Sequence, residues 1–537
     1  MLAIVQPQRR NWIGWYLCTL LAGGYPLVHF YARNYQCFTA RQLLDSAGFL
    51  FLAATTAWAL GAVLTGVTLK AMRKTGPIPP DREASASALG LSLPVVATYL
   101  ALCFQPLWQD IQARGLPLAV DIFIFLLLGG LIAAACWKIG WKWISALLAL
   151  ALGLEAVRWG ISAHTKGKIA AHADVPAAHQ AIYSGVRLQS TPDIYFVVLE
   201  SYHSPAWLKE FYGDDCQPFV HRLEELGFQI HSNVFANYLA TLASLHSTFS
   251  MTHHYYAIDT GDDDSVRTRA LIAGQDYNPV LSILKANGYR VEYLLGNHYL
   301  CLPEMAADAI DILVPRKSGS LAPLMMLAWP HGAFSENHQM AGYRDMLLAH
   351  AATPRGAGPP RFVFIKAGLQ HLPRGPHDRE TWKRTYRALL DEENEFLSAF
   401  CSRLVENNPD AFVVLMGDHG AWGYAGRWWS KAAGSPDEYF RDHGLDHASV
   451  ARDMTDILLA TRAGRDGSFQ WQVNSPINLF RELFAFLSHD RRILDTRAQD
   501  ASYKTVRSKL YRFVLDGQPL ASWQKIPTDD NGVPLDR

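Results

Sequence analysis

Hydrophobic and polar positions divide the chain into two parts that meet near residue 160. Five apolar segments occupy the first part, at residues 12–32, 47–69, 86–107, 122–137 and 143–159. A bilayer core needs about 20 mostly apolar residues per helix. The first three segments reach that length, whereas the fourth is short and the fifth carries Glu155 and Arg158 near its end. The pattern predicts five membrane helices, with four as the alternative, and disfavours the core helices of a soluble protein.

Positive charge is spread unevenly between these segments. Basic residues precede the first segment and lie between the second and third and between the fourth and fifth: Arg9, Arg10, Lys70, Arg73, Lys74, Arg82, Lys138 and Lys142. The alternate loops carry less net positive charge. Because basic loops stay on the cytoplasmic side, this bias predicts a cytoplasmic N-terminus. An odd number of crossings then delivers the remainder of the chain to the outer side of the membrane.

Composition changes after the last apolar segment. Residues 162–190 are polar and rich in histidine and alanine, which is typical of a linker or of a short helix along the membrane surface. We therefore predict a transmembrane domain at residues 1–161, a juxtamembrane linker at 162–190 and an extracytoplasmic domain at 191–537.

In this last region, short apolar runs alternate with helical patterns. Runs rich in β-branched and aromatic residues lie at 194–199, 290–295, 362–366 and 411–416. Continuous rather than alternating hydrophobicity is typical of parallel strands that are buried on both faces. Residues 218–226 and 279–286 have the spacing of amphipathic helices, and Gly288 ends the second one. The alternation predicts an α/β domain with an open, doubly wound, mainly parallel sheet.

Polar side chains follow three of these strands. They are a carboxylate, a carboxylate with an imidazole, and an imidazole: Glu200, Asp418 with His419, and His371. Open α/β sheets bind ligands at the carboxyl ends of their strands, so we expect these groups at one edge. Each alone has a simpler explanation, a helix cap for Glu200 or a turn in which Gly420 has a positive φ. Their joint occurrence favours a functional site.

A threonine at a predicted helix start is the candidate nucleophile. Thr241 lies where a stretch of small and polar residues becomes helical. Unpaired backbone N–H groups and the positive end of the helix dipole stabilise an anion at such a position, for example an alkoxide or a transferring phosphoryl oxygen. The alternative is a simple N-cap, which stabilises a helix by about 1 kcal/mol. Position alone favours the cap, and the resemblance described below favours the nucleophile.

The overall charge disfavours one class of partner. Lysine plus arginine and aspartate plus glutamate both number 49, so the net charge is zero, and the sequence pI is about 7.3. This balance gives no support for a nucleic-acid partner.

The cysteines show no CxxC pair and no zinc-finger spacing. Cys216, Cys301 and Cys401 lie in the predicted soluble region, where one disulfide with a free thiol left over stays open.

Several short motifs, taken in order, resemble a known group of enzymes. The motifs lie at residues 192–195, 200–202, 218–220, 223–228, 237–238, 241–245, 362–373 and 417–420. With the five apolar segments before them, they resemble the sulfatase-like membrane transferases of the alkaline phosphatase superfamily. This group includes lipoteichoic acid synthase and the lipid A phosphoethanolamine transferases. The resemblance implies a multi-pass protein of the bacterial inner membrane whose alkaline phosphatase-like catalytic domain, with a mixed and mainly parallel sheet, is periplasmic or extracellular.

The resemblance also implies roles for single residues. It assigns Glu200, Thr241, Asp418 and His419 to one divalent metal, and His371, His443, His447 and Asn237 to the substrate. Thr241 would attack the substrate, and His371 would bind it or assist the leaving group. For His443 and His447, surface or packing roles are the alternative. Three oxygen ligands and one imidazole suit Zn²⁺, which we expect first, or Mn²⁺.

The expected reaction is a double displacement on a membrane phospholipid. Phosphatidylethanolamine or phosphatidylglycerol would pass its phospho-headgroup to Thr241 and then to an envelope glycan or lipid. Two other hypotheses are a membrane-tethered phosphodiesterase or phosphatase, and an inactive envelope sensor or scaffold. Sulfate-ester hydrolysis is disfavoured, because the Cys or Ser followed by x-Pro-x-Arg of true sulfatases is missing. The Trp-x-Arg motif of lipoteichoic acid synthases is missing at residues 296–300, which disfavours a glycerol-phosphate polymerase.

Overall fold

The computed structural model describes most of the chain outside residues 81–137. The described residues are 5–34, 40–74, 76–79, 87, 138–139, 141–169, 175–255, 264–275, 277–296, 300, 310–314, 336–368, 379–423, 436–465, 474–506, 509–528 and 534. The chain divides into two compact units, Met1–Lys168 with Ser318–Phe334, and Ile169–Lys317 with Ser335–Arg537. The described candidate site residues all belong to the second unit.

The described part of the first unit contains three long helices. They are α1 (Val5–Asn34), α2 (Ala40–Lys74) and α3 (Trp141–Ile169). Many apolar side chains of α2 and α3 are exposed: Leu52, Val63, Leu64, Trp143, Leu147, Leu150 and Leu154. Within the described residues, Leu44–Lys74 is long and apolar enough to cross a membrane, and Trp141–Leu154 is a shorter apolar helix.

The structure describes three of the five predicted membrane segments in full. The first, second and fifth segments lie within α1, α2 and α3. The segment at 122–137 and nearly all of the segment at 86–107 lie outside the described residues. The number of membrane crossings and their orientation therefore stay predictions.

The second unit is built around one large sheet. Its described strands are β1 (Ile194–Glu200), β2 (Gln229–His231), β3 (Arg290–Leu295), β4 (Ile312–Val314), β5 (Arg361–Gly368), β6 (Phe412–Gly417) and β7 (Leu459–Ala463). Their order is β2-β7-β6-β1-β5-β3-β4. The pairs β3–β4, β3–β5, β5–β1 and β1–β6 are parallel, whereas β6–β7 and β7–β2 are antiparallel. The predicted mixed, mainly parallel sheet is confirmed, and the four predicted strands end within two residues of their predicted ends.

Helices cover both faces of this sheet. The helices are α4 (Ala177–Ser184), α5 (Gln217–Glu225), α6 (Thr241–Ser250), α7 (Asp264–Ile272), α8 (Pro279–Ala286), α9 (Glu336–Ala351), α10 (Arg379–Asn407), α11 (Pro436–Asp442), α12 (His447–Thr455) and α13 (Leu479–Ser488). Shorter helical turns lie at Pro205–Trp207, Leu208–Tyr212, Pro476–Asn478 and Arg491–Thr496. The two predicted helices correspond to α5 and α8, and Gly288 after α8 has φ +78°.

Alternate residues of β1 explain this two-sided arrangement. Tyr195 and Val197 belong to an apolar cluster with residues of α5, α9 and α10. Phe196 points to the opposite face, where its ring contacts Phe249 of α6 and Phe480 of α13. Because both faces are buried, residues 194–199 are all apolar, which is why the sequence shows an unbroken hydrophobic run before Glu200.

A smaller antiparallel sheet follows near the C-terminus. It contains β8 (Ala501–Val506), β9 (Lys509–Leu515) and β10 (Gln518–Ile526). Phe513 and Trp523 of this sheet lie in an apolar cluster with Val450 and Met454 of α12. The sequence interpretation did not predict this sheet.

Part of the predicted linker belongs to the second unit. Helix α4 lies within residues 162–190, and its Tyr183 is buried. The guanidinium of Arg481 donates to the Tyr183 hydroxyl at 2.9 Å and to backbone carbonyls. At least this segment of the linker is therefore packed structure.

Candidate active site

Three neighbouring strands bring charged side chains to one edge of the sheet. In the register, Leu199 of β1 lies opposite Ala367 of β5 and Gly417 of β6. Glu200 therefore ends its strand beside Lys366, and Asp418 follows the next strand along. The convergence that parallel topology predicts for strand ends is present here.

Thr241 enters this edge from the start of helix α6. It is the first residue of the helix, and Ala240 occupies the N-cap position without a capping side chain. The alternative that Thr241 is an N-cap is therefore wrong. Its hydroxyl oxygen lies 3.4 Å from Glu200 Oε2 and 3.4 Å from His419 Nε2. The hydroxyl thus faces the strand ends at the positive end of a helix that is buried along its whole length.

Asp418 is the most deeply buried charged group of the site. Its Oδ1 accepts hydrogen bonds from the backbone N–H of Ser201 at 2.8 Å and of His419 at 2.9 Å. Its Oδ2 accepts a bond from Lys366 Nζ at 2.9 Å. Burial alone would raise the pKa of Asp418, but the charges of His419 and Lys366 and the backbone bond lower that pKa to about 2. The carboxylate is therefore ionised at neutral pH.

The imidazole of His419 is oriented by its own loop. Nδ1 lies 2.8 Å from the carbonyl oxygen of Gly420 and donates its proton there. In the neutral ring, Nε2 therefore carries the lone pair; it faces Glu200 Oε1 at 3.9 Å and Asp418 Oδ2 at 3.8 Å. Metal-binding histidines are typically oriented in this way, with the remote nitrogen donating to a carbonyl or carboxylate.

Lys366 is a member of the site that the sequence interpretation missed. Its ammonium group lies 2.8 Å from Glu200 Oε2 and 2.9 Å from Asp418 Oδ2. Burial would lower the pKa of Lys366, but these two carboxylates outweigh it and raise the pKa above its usual value. The available signal was a charged residue within an otherwise apolar strand, close to its carboxyl end.

The loop after β6 depends on close backbone packing. A Cβ at Gly420 would overlap the carbonyl oxygen of Asp453 and approach His203 Cε1 to 2.6 Å. The alternative of a turn with a positive φ at Gly420 is wrong, because its φ is not among the positive values of the described residues. Glycine is needed here for space. The left-handed residue of the site is Ser201, with φ +52°, directly after Glu200.

A buried histidine supports the same loop. His203 Nδ1 lies 2.9 Å from the Asp456 carbonyl oxygen, and its Nε2 accepts a 2.9 Å hydrogen bond from the backbone N–H of Ala421. Burial lowers the pKa of His203 to about 3, so the ring is neutral. A neutral ring that donates on one side and accepts on the other positions the loop that carries His419.

The remaining predicted site residues have varied surroundings. Asn237 is buried, and its amide donates to the Ala501 carbonyl at 2.8 Å and accepts from the Ile477 N–H at 3.0 Å. Both polar atoms of the amide thus bond to backbone, which gives Asn237 a structural role. His443 is exposed and stacks on the Tyr439 ring.

The other two predicted substrate residues are His447 and His371. His447 begins α12, and its ring packs edge-on against Phe440, with 5.1 Å between the ring centroids. His371 lies outside the described residues. Their substrate roles stay predictions.

The donor set of the site fits a divalent cation. Ligand atoms of Glu200, Asp418 and His419 lie within 4.8 Å of one another. The Thr241 hydroxyl and the free lone pair of His419 Nε2 face the same space. Two carboxylates, an imidazole nitrogen and a hydroxyl are a donor set that Zn²⁺ and Mn²⁺ accept.

Comparisons with known proteins find distant structural likenesses. No family model and no curated protein matches the chain. The chain is similar to lipoteichoic acid synthase LtaP of Listeria monocytogenes, with 14% identity, TM-score 0.38, and coverage of 67% of this chain and 92% of that one. It is also similar to an alkaline phosphatase superfamily protein of Vibrio parahaemolyticus, with 12% identity, TM-score 0.39, and coverage of 65% and 83%.

A third solved structure spans more of the chain. This is the integral membrane lipooligosaccharide phosphoethanolamine transferase A of Neisseria meningitidis, with 13% identity, TM-score 0.36, and coverage of 89% of this chain and 97% of that one. The Vibrio parahaemolyticus protein named above belongs to the alkaline phosphatase superfamily, the group that the sequence motifs resemble. These likenesses are distant, and the proposals below rest on the residues of the site.

Proposed function

We propose that the chain is a metal-dependent transferase that moves a phospho-headgroup from a membrane phospholipid to an envelope glycan or lipid. The group passes through a covalent intermediate on Thr241. One observation carries this proposal. A threonine hydroxyl at the first turn of a buried helix lies 3.4 Å from both a carboxylate oxygen and an imidazole nitrogen at the carboxyl ends of parallel strands.

The residues that would hold the metal are Glu200, Thr241, Asp418 and His419. When bound, a divalent cation supplies positive charge that stabilises the threonine alkoxide and the phosphoryl oxygens of the transition state. We expect Zn²⁺ first and Mn²⁺ as the alternative. The backbone bonds to Asp418 and the Gly420 bond to His419 hold these side chains in place before substrate arrives.

In the first step, the oxygen of Thr241 attacks the phosphorus of the phospholipid phosphodiester. The new bond joins Thr241 Oγ1 to phosphorus, and the bond from phosphorus to the diacylglycerol oxygen breaks. Diacylglycerol leaves after its oxygen takes up one proton, which balances the one that Thr241 gives up in the same step. The Thr241 proton moves towards Glu200, whose Oε2 accepts the long 3.4 Å hydrogen bond. Backbone N–H groups at the start of α6 favour the negative charge that builds up on the phosphoryl group.

In the second step, a hydroxyl or phosphate oxygen of the acceptor attacks the same phosphorus. The bond from phosphorus to Thr241 breaks, and the threonine regains its proton. We propose His371, His443 and His447 as residues that contact the substrate or assist a leaving group.

The site is open from the Glu200 side, where the carboxylate side chain is 33% exposed while Asp418 is fully buried.

The first unit supports a lipid donor. Helix α2 exposes large apolar side chains such as Leu52, Val63 and Leu64, each more than half exposed. Water-exposed apolar surface of this extent is typical of a helix that faces lipid. We therefore propose a multi-pass protein of the bacterial inner membrane, with residues 1–161 in the membrane, 162–190 as the juxtamembrane connection and 191–537 as the periplasmic or extracellular catalytic domain.

The test is a headgroup-transfer assay on full-length protein in vesicles. Fluorescent phosphatidylethanolamine and phosphatidylglycerol are supplied as donors, and diacylglycerol is measured with and without a chelator. We expect metal-dependent diacylglycerol release by the wild type and none by Thr241→Ala. Thr248→Ala is the matched control, because Thr248 is buried in the same helix and bonds only within it, to the Ser244 carbonyl at 2.8 Å.

Four outcomes separate the hypotheses. Headgroup found on an envelope acceptor supports the transferase, whereas free headgroup phosphate as sole product means that water resolves the intermediate, as in a phosphodiesterase. No release with any headgroup contradicts a lipid donor. If Thr241→Ala folds normally and keeps the full cellular phenotype, the chain is an inactive sensor or scaffold.

A further inference from the structure

A lysine occupies the ligand shell of the proposed metal. The Lys366 ammonium group bonds to Glu200 Oε2 at 2.8 Å and to Asp418 Oδ2 at 2.9 Å. Both carboxylates are proposed metal ligands, and Asp418 Oδ2 also faces His419 Nε2 at 3.8 Å. The oxygen that faces the imidazole is therefore the oxygen that already accepts a bond from a cation.

The remaining bonds of Asp418 leave little freedom to avoid this overlap. Its other oxygen, Oδ1, is taken by two backbone N–H groups, those of Ser201 and His419. The carboxylate is fully buried and follows directly on strand β6. A cation placed between Asp418 and His419 must therefore use Oδ2, which it has to share with Lys366.

We infer that Lys366 is a built-in competitor of the metal. Its ammonium group shares the oxygens of Glu200 and Asp418 with the divalent cation and weakens the affinity of the site for that cation. This inference rests on the proposed metal site and adds a regulator of its occupancy.

Charge gives the physical reason. Two carboxylates and one ammonium group leave the four-residue set of Glu200, Asp418, His419 and Lys366 with one net negative charge, while the same set without the lysine has two. Repulsion between an ammonium group and a divalent cation at such short range is strong in a partly dry site. The ammonium group also stabilises the metal-free form, which lowers metal affinity further.

The same charge benefits an anionic substrate. With a divalent cation bound, the set has one net positive charge, which complements the single negative charge of a phosphodiester. Without Lys366 the loaded set would be neutral. Lys366 thus lowers the affinity of the site for the metal, and it adds a positive charge at the place where the phosphoryl group binds.

The test compares metal affinities of full-length protein in detergent. Zn²⁺ and Mn²⁺ dissociation constants are measured by competition with a chelating dye for the wild type, Lys366→Met and Lys285→Met. Lys285 is the matched control, since it forms a lysine–carboxylate pair with Asp311 at 2.9 Å outside the site. We expect Lys366→Met to bind the metal about tenfold more tightly or better, and Lys285→Met to equal the wild type.

Thermal unfolding provides a second readout that does not depend on activity. A ligand that binds only the folded state raises the midpoint temperature according to its affinity. We expect the metal-induced rise to be larger for Lys366→Met than for the wild type. If that variant does not fold, Lys366→Gln, which keeps a hydrogen-bond donor without the charge, replaces it in both measurements.

Unchanged or weaker metal binding by the lysine variant would overturn the inference. Asp418→Asn separates this failure from a failure of the proposed function. If the wild type binds one metal that Asp418→Asn loses, but Lys366→Met binds as the wild type does, only the competitor role is wrong. If the wild type binds no metal, or Asp418→Asn binds equally well, the metal site itself is wrong.

Discussion

The two ends of the same three strands carry similar residues with different bonding. At the amino ends of β1, β5 and β6 lie Asp193, Arg361 and Asn408; at the carboxyl ends lie Glu200, Lys366 and Asp418. Asp193 accepts bonds from Arg361 N–H groups at 2.7 to 3.0 Å and from Asn408 at 2.7 Å. Every oxygen of that carboxylate has a partner at ordinary hydrogen-bond distance.

At the carboxyl end, only some of the polar atoms have a partner at ordinary hydrogen-bond distance. Lys366 makes two short bonds there, but the Thr241 hydroxyl stands 3.4 Å from Glu200 and from His419 Nε2. His419 Nε2 lies 3.8 to 3.9 Å from the two carboxylates. Polar atoms that face one another at these separations are too far apart for strong hydrogen bonds, and a shared cation would satisfy them together. The amino end stabilises the sheet, and the carboxyl end is arranged for a ligand.

The largest effect should come from the carboxyl end. Asp418→Asn removes one of the two charged ligands, and we expect a loss of transferase activity of about a thousandfold, the scale of losing a major transition-state contact. Folding should be retained, because the two backbone bonds to Oδ1 survive the substitution. Diacylglycerol release and circular dichroism check this. Activity above a tenth of the wild-type rate would contradict a ligand role.

The matching substitution at the amino end should affect stability instead. Asp193→Asn leaves Arg361 without its charged partner, and breaking a buried pair of this kind costs about 3 kcal/mol. Denaturant unfolding should show this loss, while activity per folded molecule stays near the wild-type value. If Asp193→Asn lost activity while its stability stayed unchanged, the proposed difference between the two strand ends would be wrong.

The loop after β6 should be intermediate in its effect. Gly420→Ala forces a methyl group against the Asp453 carbonyl and the His203 ring, so the loop with His419 must shift. Misplacement by about 1 Å can reduce a catalytic rate by about a hundredfold. Gly342→Ala is the control, because nothing lies within 4 Å of its added Cβ. Equal activities of the two variants would show that the loop tolerates displacement.

The smallest expected effect is a change in the pH dependence of stability, which we assign to His350 near the amino ends of the strands. Burial and the nearby Arg361 lower the pKa of His350 to about 4, against 6.5 for an unfolded histidine. Between these values the unfolded chain binds a proton that the folded chain does not, so stability should fall as pH drops from about 6.5 to 4. His350→Gln should flatten this part of the stability curve. An unchanged slope would show that His350 is not responsible.

The elements that sequence could predict are those whose pattern follows from burial. β1, β3, β5 and β6 are buried and mostly apolar, with Glu292 and Lys366 as the charged residues inside β3 and β5, and their bounds came out within two residues. β7 contains Thr461 and Arg462, and Arg462 donates to the backbone carbonyls of Leu226 and Pro409. Such a strand has no hydrophobic signature. The small C-terminal sheet was missed because β10 is largely exposed and because charged residues, Lys504 and Arg512, interrupt β8 and β9.

The site was predictable where chemistry and topology coincide. Glu200, Asp418 and His419 follow strand ends directly, and parallel pairing brings such positions together. Lys366 was missed because a single lysine at the end of an apolar run has no distinctive spacing. The need for glycine at position 420 could not be predicted from the sequence, because it comes from Asp453, which is far away in sequence and is brought close only by the fold. Asn237 likewise bonds to Ala501 and Ile477 across the second unit.

One measurement tests the central claim most directly. The protein is incubated with phosphatidylethanolamine or phosphatidylglycerol vesicles without acceptor, quenched in acid and digested, and the peptide that contains Thr241 is weighed by mass spectrometry. We predict an added mass equal to the phospho-headgroup of whichever donor was supplied, located on Thr241 and absent with a chelator. Diacylglycerol release without any adduct on Thr241, or with the adduct on another residue, would contradict the account.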